Sequence, residues 1–207
     1  MTDGADGDGG GGDDISPRGG ATDGRGESDS GTDDRTESEQ GSNHERGETA
    51  GNERDEFSSL RTIADYQFGS GAGDALFSPG EDLTIKRTTS GRPQQVHAER
   101  GRLVSFGTDG RFTLGLEGGR RLATALPSPS YRVVVDDESE PFVRDGKNVF
   151  AKFVADVGSE IRPGDEVLVE HERGELLAVG RAALGAEAIR DFETGMAVAV
   201  REGAGER

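Results

Sequence analysis

The first 56 residues contain no Phe, Tyr, Trp, Leu or Val; Met1, Ala5, Ile15, Ala21 and Ala50 are their only apolar side chains. Fixing the backbone of one residue costs roughly 1–2 kcal/mol of entropy, and a stretch rich in Gly, Ser, Asp and Glu has no apolar area to offset it. Residues 1–56 are therefore expected to form a disordered acidic tail, with order beginning near Phe57. Only the remainder of the chain can build a core, enough for one or two small domains.

Charge divides the same way. The segment 1–56 carries 17 acidic residues against 5 Arg, a net of −12 out of −17 for the whole chain. Residues 57–207 keep 24 acidic and 19 basic groups, a net of −5. Overall acidity argues against a polyanionic partner, but most of it lies outside the segment that can fold. Among the 24 basic residues only Lys86, Lys147 and Lys152 are lysine. Few Lys, many carboxylates and few aromatics resemble the proteomes of salt-loving archaea, where strongly hydrated carboxylates keep proteins soluble as salt screens repulsion. GC-rich codon bias beside an acidic tail is the alternative source of that composition. With no Cys, disulfides and Cys-based zinc sites are excluded. Apolar runs are too short for a membrane span or a signal-peptide core, so a soluble, cytoplasmic protein is expected.

Past Phe57, the residues Leu60, Ile63 and Ala64 fall at helical spacing behind Ser58 or Ser59 as N-cap. Strand-like runs follow at Leu83–Lys86, Gln95–Ala98, Arg102–Phe106 and Arg111–Leu116, with Asp109-Gly110 as a hairpin turn. Pro127-Ser128-Pro129 reads as a link between domains. Beyond it come strands at Tyr131–Val135, Glu166–Glu170, Leu176–Arg181 and Gly195–Val200. Short helices are expected at Asn148–Val154, just after Gly146, and at Ala186–Phe192. The class is α+β, in domains 57–127 and 128–207.

Four ordered segments of the second domain resemble the PUA domain, an RNA-binding module of pseudouridine synthases and archaeosine transglycosylases. They are Val143–Val154 (VRDGKNVFAKFV), Ile161–Val167 (IRPGDEV), Leu177–Ala182 (LAVGRA) and Gly195–Arg201 (GMAVAVR). Upstream, Arg61–Gly69 (RTIADYQFG), with Gly73 and Phe77, is similar to the domain that precedes PUA in archaeal tRNA-guanine transglycosylase. The resemblance covers about residues 57–202. It implies a PUA-like partly open β-barrel with short helices, preceded by a small α+β domain and the disordered acidic N-terminal tail. That family's catalytic part is a large β/α barrel with aspartate catalysts and a Cys-rich zinc site. A barrel of that kind needs ~200 residues or more, and the tail stands in its place here. A non-enzyme is expected: an RNA-binding protein without cofactor or metal, meeting structured RNA such as the tRNA acceptor end, in or beside tRNA modification. The alternative is a subunit that assembles with a tRNA-modifying enzyme and touches no RNA.

The best candidate site is Arg144, Gly146, Lys147, Asn148 and Lys152. A glycine permits close backbone approach, and a helix starting behind it would aim unpaired N–H groups and a positive dipole end at phosphate. The resemblance places this loop and helix on the RNA-binding face. The plainer reading is a helix-start turn with two solvated lysines. Arg181 can offer its planar fork to phosphate or pair with Glu187 or Asp191. Lys86, Arg87 and Arg92 form a second basic cluster, or merely the charges of a surface hairpin. Gly69-Ser70-Gly71-Ala72-Gly73 lacks the Gly-Lys-Ser/Thr of a phosphate loop and reads as a tight turn. Val149, Phe150, Phe153, Val154, Leu184, Ile189 and Phe192 are expected in the core. His44, His97 and His171 show no metal spacing, and the acid pair Asp136-Asp137 has no base beside it in sequence.

Overall fold

The computed structural model describes the backbone of residues 41–205 and the side chains of residues 54–205. Of residues 1–56, expected to be disordered, residues 1–40 lie outside the described residues, while residues 41–56 fall within a helix. Residues Ser42–Arg207 form one compact unit.

The first helix, α1 (Gly41–Phe68), starts well upstream of the expected Ser58. Its last turns bury Leu60, Ala64 and Phe68; of the expected periodic positions Leu60, Ile63 and Ala64, Ile63 is half-buried. It stops at Gly69 and turns through Gly71, both at positive φ, into α2 (Ala72–Leu76). The glycine run is thus a turn between packed helices. Four antiparallel strands follow in order: β1 (Thr84–Arg87), β2 (Pro93–Ala98), β3 (Gly101–Phe106) and β4 (Phe112–Leu114). Ile85, Val96, Val104 and Leu114 lie in register across this sheet, and the last three are fully buried.

A helix that the sequence reading did not include, α3 (Leu116–Ala125), packs on the sheet behind β4. Leu122 is buried against the first domain's core, while Gly118 and Gly119 allow close approach. A Cβ on Gly118 would overlap the Leu103 carbonyl, and one on Gly119 would overlap the Val179 side chain.

The second domain is a six-stranded sheet in the order β6-β10-β9-β8-β5-β7. Its strands are β5 (Arg132–Val135), β6 (Val149–Phe150), β7 (Val154–Val157), β8 (Glu166–His171), β9 (Leu176–Ala182) and β10 (Met196–Gly203). Only β5 and β8 pair in parallel. The outermost strands, β6 and β7, are joined by a single 3-10 turn at Ala151–Phe153, so the sheet curls into a nearly closed barrel. Val133, Val135, Val167, Val169, Leu177 and Val198 fill it. Helices α4 (Glu140–Arg144) and α5 (Ala186–Asp191) flank it.

Every residue of β8 is buried, because its outer face meets the first domain: Leu168 and Val179 belong to that domain's core. Polar groups close the same junction. Glu166 accepts the Leu114 N–H (3.0 Å) and pairs with both Nη atoms of Arg201. Burial pushes its carboxyl above the usual range despite those partners. Tyr131, at φ 58, donates its hydroxyl to the Gln67 carbonyl (2.8 Å) and packs edge-on against Phe68.

Candidate nucleic-acid interface

One expectation is corrected at the centre of the proposed site. Gly146 does not precede a helix; it ends one. The helix is α4, and Gly146, at φ 81, occupies the position after its C-cap. Its N–H bonds the Val143 carbonyl (2.9 Å) and the Lys147 N–H bonds the Phe142 carbonyl (2.9 Å). These two bonds make a Schellman ending, which puts the negative end of the helix dipole here. Asn148–Val154 is β6, the 3-10 turn and the start of β7. The periodicity of Val149, Phe150, Phe153 and Val154 imitated a helix face. A phosphate seat made of helix amides is therefore absent from this loop.

The side chains of the loop remain exposed. Lys147 stands in solvent 3.4 Å from Asp145. Lys152 lies over the Phe153 ring, 4.4 Å from its centroid. Asn148 Oδ1 accepts the Val200 N–H (3.0 Å) and ties the loop to β10. Arg144 is held inside the domain by Glu140 (2.9 Å) and Glu175 (2.5 Å), with its side chain 11% exposed. It shapes the loop rather than facing outward.

Two aromatic side chains stand beside Lys147. Phe150 was expected in the core and is 47% exposed; Phe142 is 61% exposed. Together with Phe153, Val149 and Lys147 they line an apolar cavity of about 260 Å³. Met196 sits directly opposite Phe150 on β10, and Phe192, also expected in the core, is 52% exposed. Strand β6 is two residues long at the sheet's edge, so only Val149 can point inward. That is the physical reason the apolar count misled.

Arg181 makes no ion pair with Glu187 or Asp191; its Nε donates to the Gly164 carbonyl at 3.1 Å, and its side chain is exposed. Arg181 and the Lys147 loop flank the same strand, since Arg181 pairs opposite Ala199 and Asn148 bonds Val200. Lys86, Arg87 and Arg92 belong to the β1–β2 hairpin of the first domain. Arg87 binds Glu56 (2.5 Å) and the Gly91 carbonyl (3.3 Å), whereas the side chains of Lys86 and Arg92 are exposed.

The fold also gathers groups that are far apart in sequence. Asp137, Glu140 and His171 bring their ligand atoms within 4.8 Å of one another. Arg173 bridges the two carboxylates at 2.5 Å each and holds Asp137 below the usual carboxylate range. The Arg173 N–H donates to His171 Nδ1 (3.0 Å), so a neutral ring carries its proton on Nε2, 3.1 Å from Asp137 Oδ1. A metal at Nε2 would displace that proton to a nitrogen already facing a donor. The cluster works as an ion-pair network whose cation is Arg173. Among the described residues no helix is long and apolar enough to cross a membrane.

Comparison with known proteins places both domains. Residues 58–129 match the patch-forming domain C2 of tRNA-guanine transglycosylase, and residues 131–204 match the PUA domain. The tRNA-guanine(15) transglycosylase of Thermococcus kodakarensis is 49% identical over 145 residues, 70% of this chain and 24% of that protein. Its counterpart in Methanobrevibacter smithii is 42% identical over 161 residues, 77% of this chain and 24% of that one. The chain thus spans about a quarter of the length of these relatives. Among solved structures, a hypothetical protein from Pyrococcus horikoshii superposes with a TM-score of 0.58 at 20% identity, covering 73% of this chain and 91% of that one. A conserved PUA domain protein from Thermoplasma acidophilum gives 0.51 at 21%, covering 70% and 91%. Both share the fold.

Proposed function

Because the chain is a PUA-domain protein whose two domains correspond to the C2–PUA region of archaeal tRNA-guanine transglycosylase, we propose that it binds structured RNA, with the acceptor end of tRNA as first candidate. Its role is to hold RNA in or beside tRNA modification, without making or breaking bonds itself. The observation that carries this is the loop at Lys147: one lysine and two exposed phenylalanines line a single apolar cavity, and a second lysine, Lys152, lies over the ring of Phe153 at its edge. Phosphates suit the ammonium groups, and unstacked bases suit the rings.

Lys147→Ala and Lys152→Ala are each expected to weaken binding of a labelled tRNA transcript by roughly 1–3 kcal/mol in molar KCl, the range for hydrogen bonds to charged groups. Phe150→Ala belongs in the same range through lost stacking. Lys86→Ala should cost less, since Lys86 lies on the other domain's hairpin. Circular dichroism establishes that each variant is folded before the titration. Unchanged affinity across the loop variants would remove the loop from the interface.

The exposed strip formed by Phe142, Phe150 and Met196 favours one rival: a subunit that docks on a tRNA-modifying enzyme and binds no RNA. Failure of the unaltered protein to bind tRNA at any salt concentration would put that reading first.

A further inference from the structure

The turn at residues 162–166 carries one arginine and is met by three more drawn from both domains. Arg162 begins the turn, and its backbone N–H caps Asp165 Oδ2 at 2.9 Å. Arg181 lies across Gly164, whose φ of +93 and missing side chain let the guanidinium sit flat; a Cβ there would come within 3.2 Å of Nη2. Arg111, from the first domain, reaches Asp165 Oδ1 at 3.2 Å. Arg201, from β10, holds Glu166 with both Nη atoms.

Three guanidinium groups thus stand by two carboxylates, Arg162 exposes a fourth from the start of the turn, and two of the four have structural work. Arg201 neutralises a carboxylate buried at the domain junction, and Arg111 pairs with Asp165. Arg162 and Arg181 have exposed side chains and make no ion pair within 4 Å among the described residues, although Arg181 stands close enough to Glu166 for its charge to be felt there. Two exposed arginines at one turn run against the trend of residues 57–207, which carry a net charge of −5.

We infer that this arginine cluster is a phosphodiester seat, in which Arg162 and Arg181 of the second domain hold the RNA backbone beside the first domain's Arg111. This rests on the RNA-binding reading above. Arginine suits the task because its fork bonds two phosphate oxygens at once. The position suits it as well. Arg181 lies on β9, the Lys147 loop is fastened to the far side of β10, and two strand spacings make about 10 Å. One extended strand of RNA can touch both. An acidic peptide would satisfy the charge alone, so the test separates the two.

The experiment uses the full chain and a labelled tRNA transcript, titrated from 0.1 to 1 M KCl. Each phosphate contact adds about 0.7–0.9 to the slope of log affinity against log salt. Arg162→Ala with Arg181→Ala should therefore flatten the slope by about 1.4–1.8, a loss of roughly 25- to 60-fold at 0.1 M that fades toward 1 M. The paired substitution to Lys should keep the slope, because it keeps the charge. If the unaltered protein binds tRNA and loses affinity through Lys147→Ala while the double alanine variant matches it in slope and affinity, the cluster is not an RNA seat and an acidic protein segment takes its place. If the unaltered protein binds no tRNA, the reading of function fails and this inference falls with it.

Discussion

Replacing Arg132 with methionine is expected to cost about 3–5 kcal/mol of stability, as when one partner of a buried ion pair is removed. The side chain is only 3% exposed, and every N–H group of its fork has an acceptor. Nε donates to both Glu170 oxygens (2.9 and 3.0 Å), Nη1 to the Pro127 and Ser130 carbonyls (3.2 and 2.9 Å), and Nη2 to the Ala123 and Leu126 carbonyls (2.7 and 3.0 Å). One residue thus caps the end of α3, fastens the interdomain link and neutralises a buried carboxylate. Methionine fills the volume and supplies none of this.

The deficit should depend on pH in a definite direction. Burial raises the folded-state pKa of Glu170, and Arg132 opposes the rise. A carboxyl whose pKa is raised on folding binds more protons in the folded state, so stability falls as pH climbs from its ordinary pKa through the raised one. Removing Arg132 leaves that push unopposed. Urea unfolding at pH 4.5 and 7.5 should show the smaller deficit at the lower pH. Equal deficits, or a total below 1 kcal/mol, would mean that the pair contributes little.

The second large effect concerns α3. In an ordinary helix interior, Gly→Ala stabilises by roughly 0.5–1 kcal/mol. Gly118→Ala should do the opposite and cost roughly 1–3 kcal/mol, because its Cβ would fall on the backbone carbonyl of Leu103. Gly119→Ala should cost less, since the group in its way is a Val179 methyl that can shift. Thermal unfolding reads both, at about 2–4 °C per kcal/mol for a chain of this size. A neutral or stabilising Gly118→Ala would show that the helix can lift away from the sheet.

Those glycines also explain what could be read from the sequence. Leu116, Gly119, Leu122, Ala123 and Leu126 follow a helical period, but three glycines in the stretch from Gly115 to Gly119 mask it as a loop. They are there because the helix is wedged against two sheets, a fact of tertiary packing that no local propensity carries. The longer strands were legible from their apolar runs, β8 above all, since both its faces are covered. Strands β6 and β7, of two and four residues, were not, because so few positions cannot separate a period of 3.6 from one of 2. Hence the stretch Asn148–Val154, which contains β6, carries the apolar spacing of a helix. Of the site, Lys147, Asn148 and Lys152 were visible as neighbours in sequence. The cluster of Arg111, Arg162, Arg181 and Arg201 was not, since only the fold gathers residues spread over ninety positions of chain.

Leu168 and Val179 lie on barrel strands yet complete the core of the other domain. That sharing leaves no plane along which one half can open and the other stay closed. The amide of Leu114, held by Glu166, and those of β8 should then exchange with solvent hydrogen through the same global event, as members of one cooperative unit. Motion has the same consequence as unfolding: a partner that fixes the β1–β2 hairpin also fixes the direction in which the Lys147 loop points.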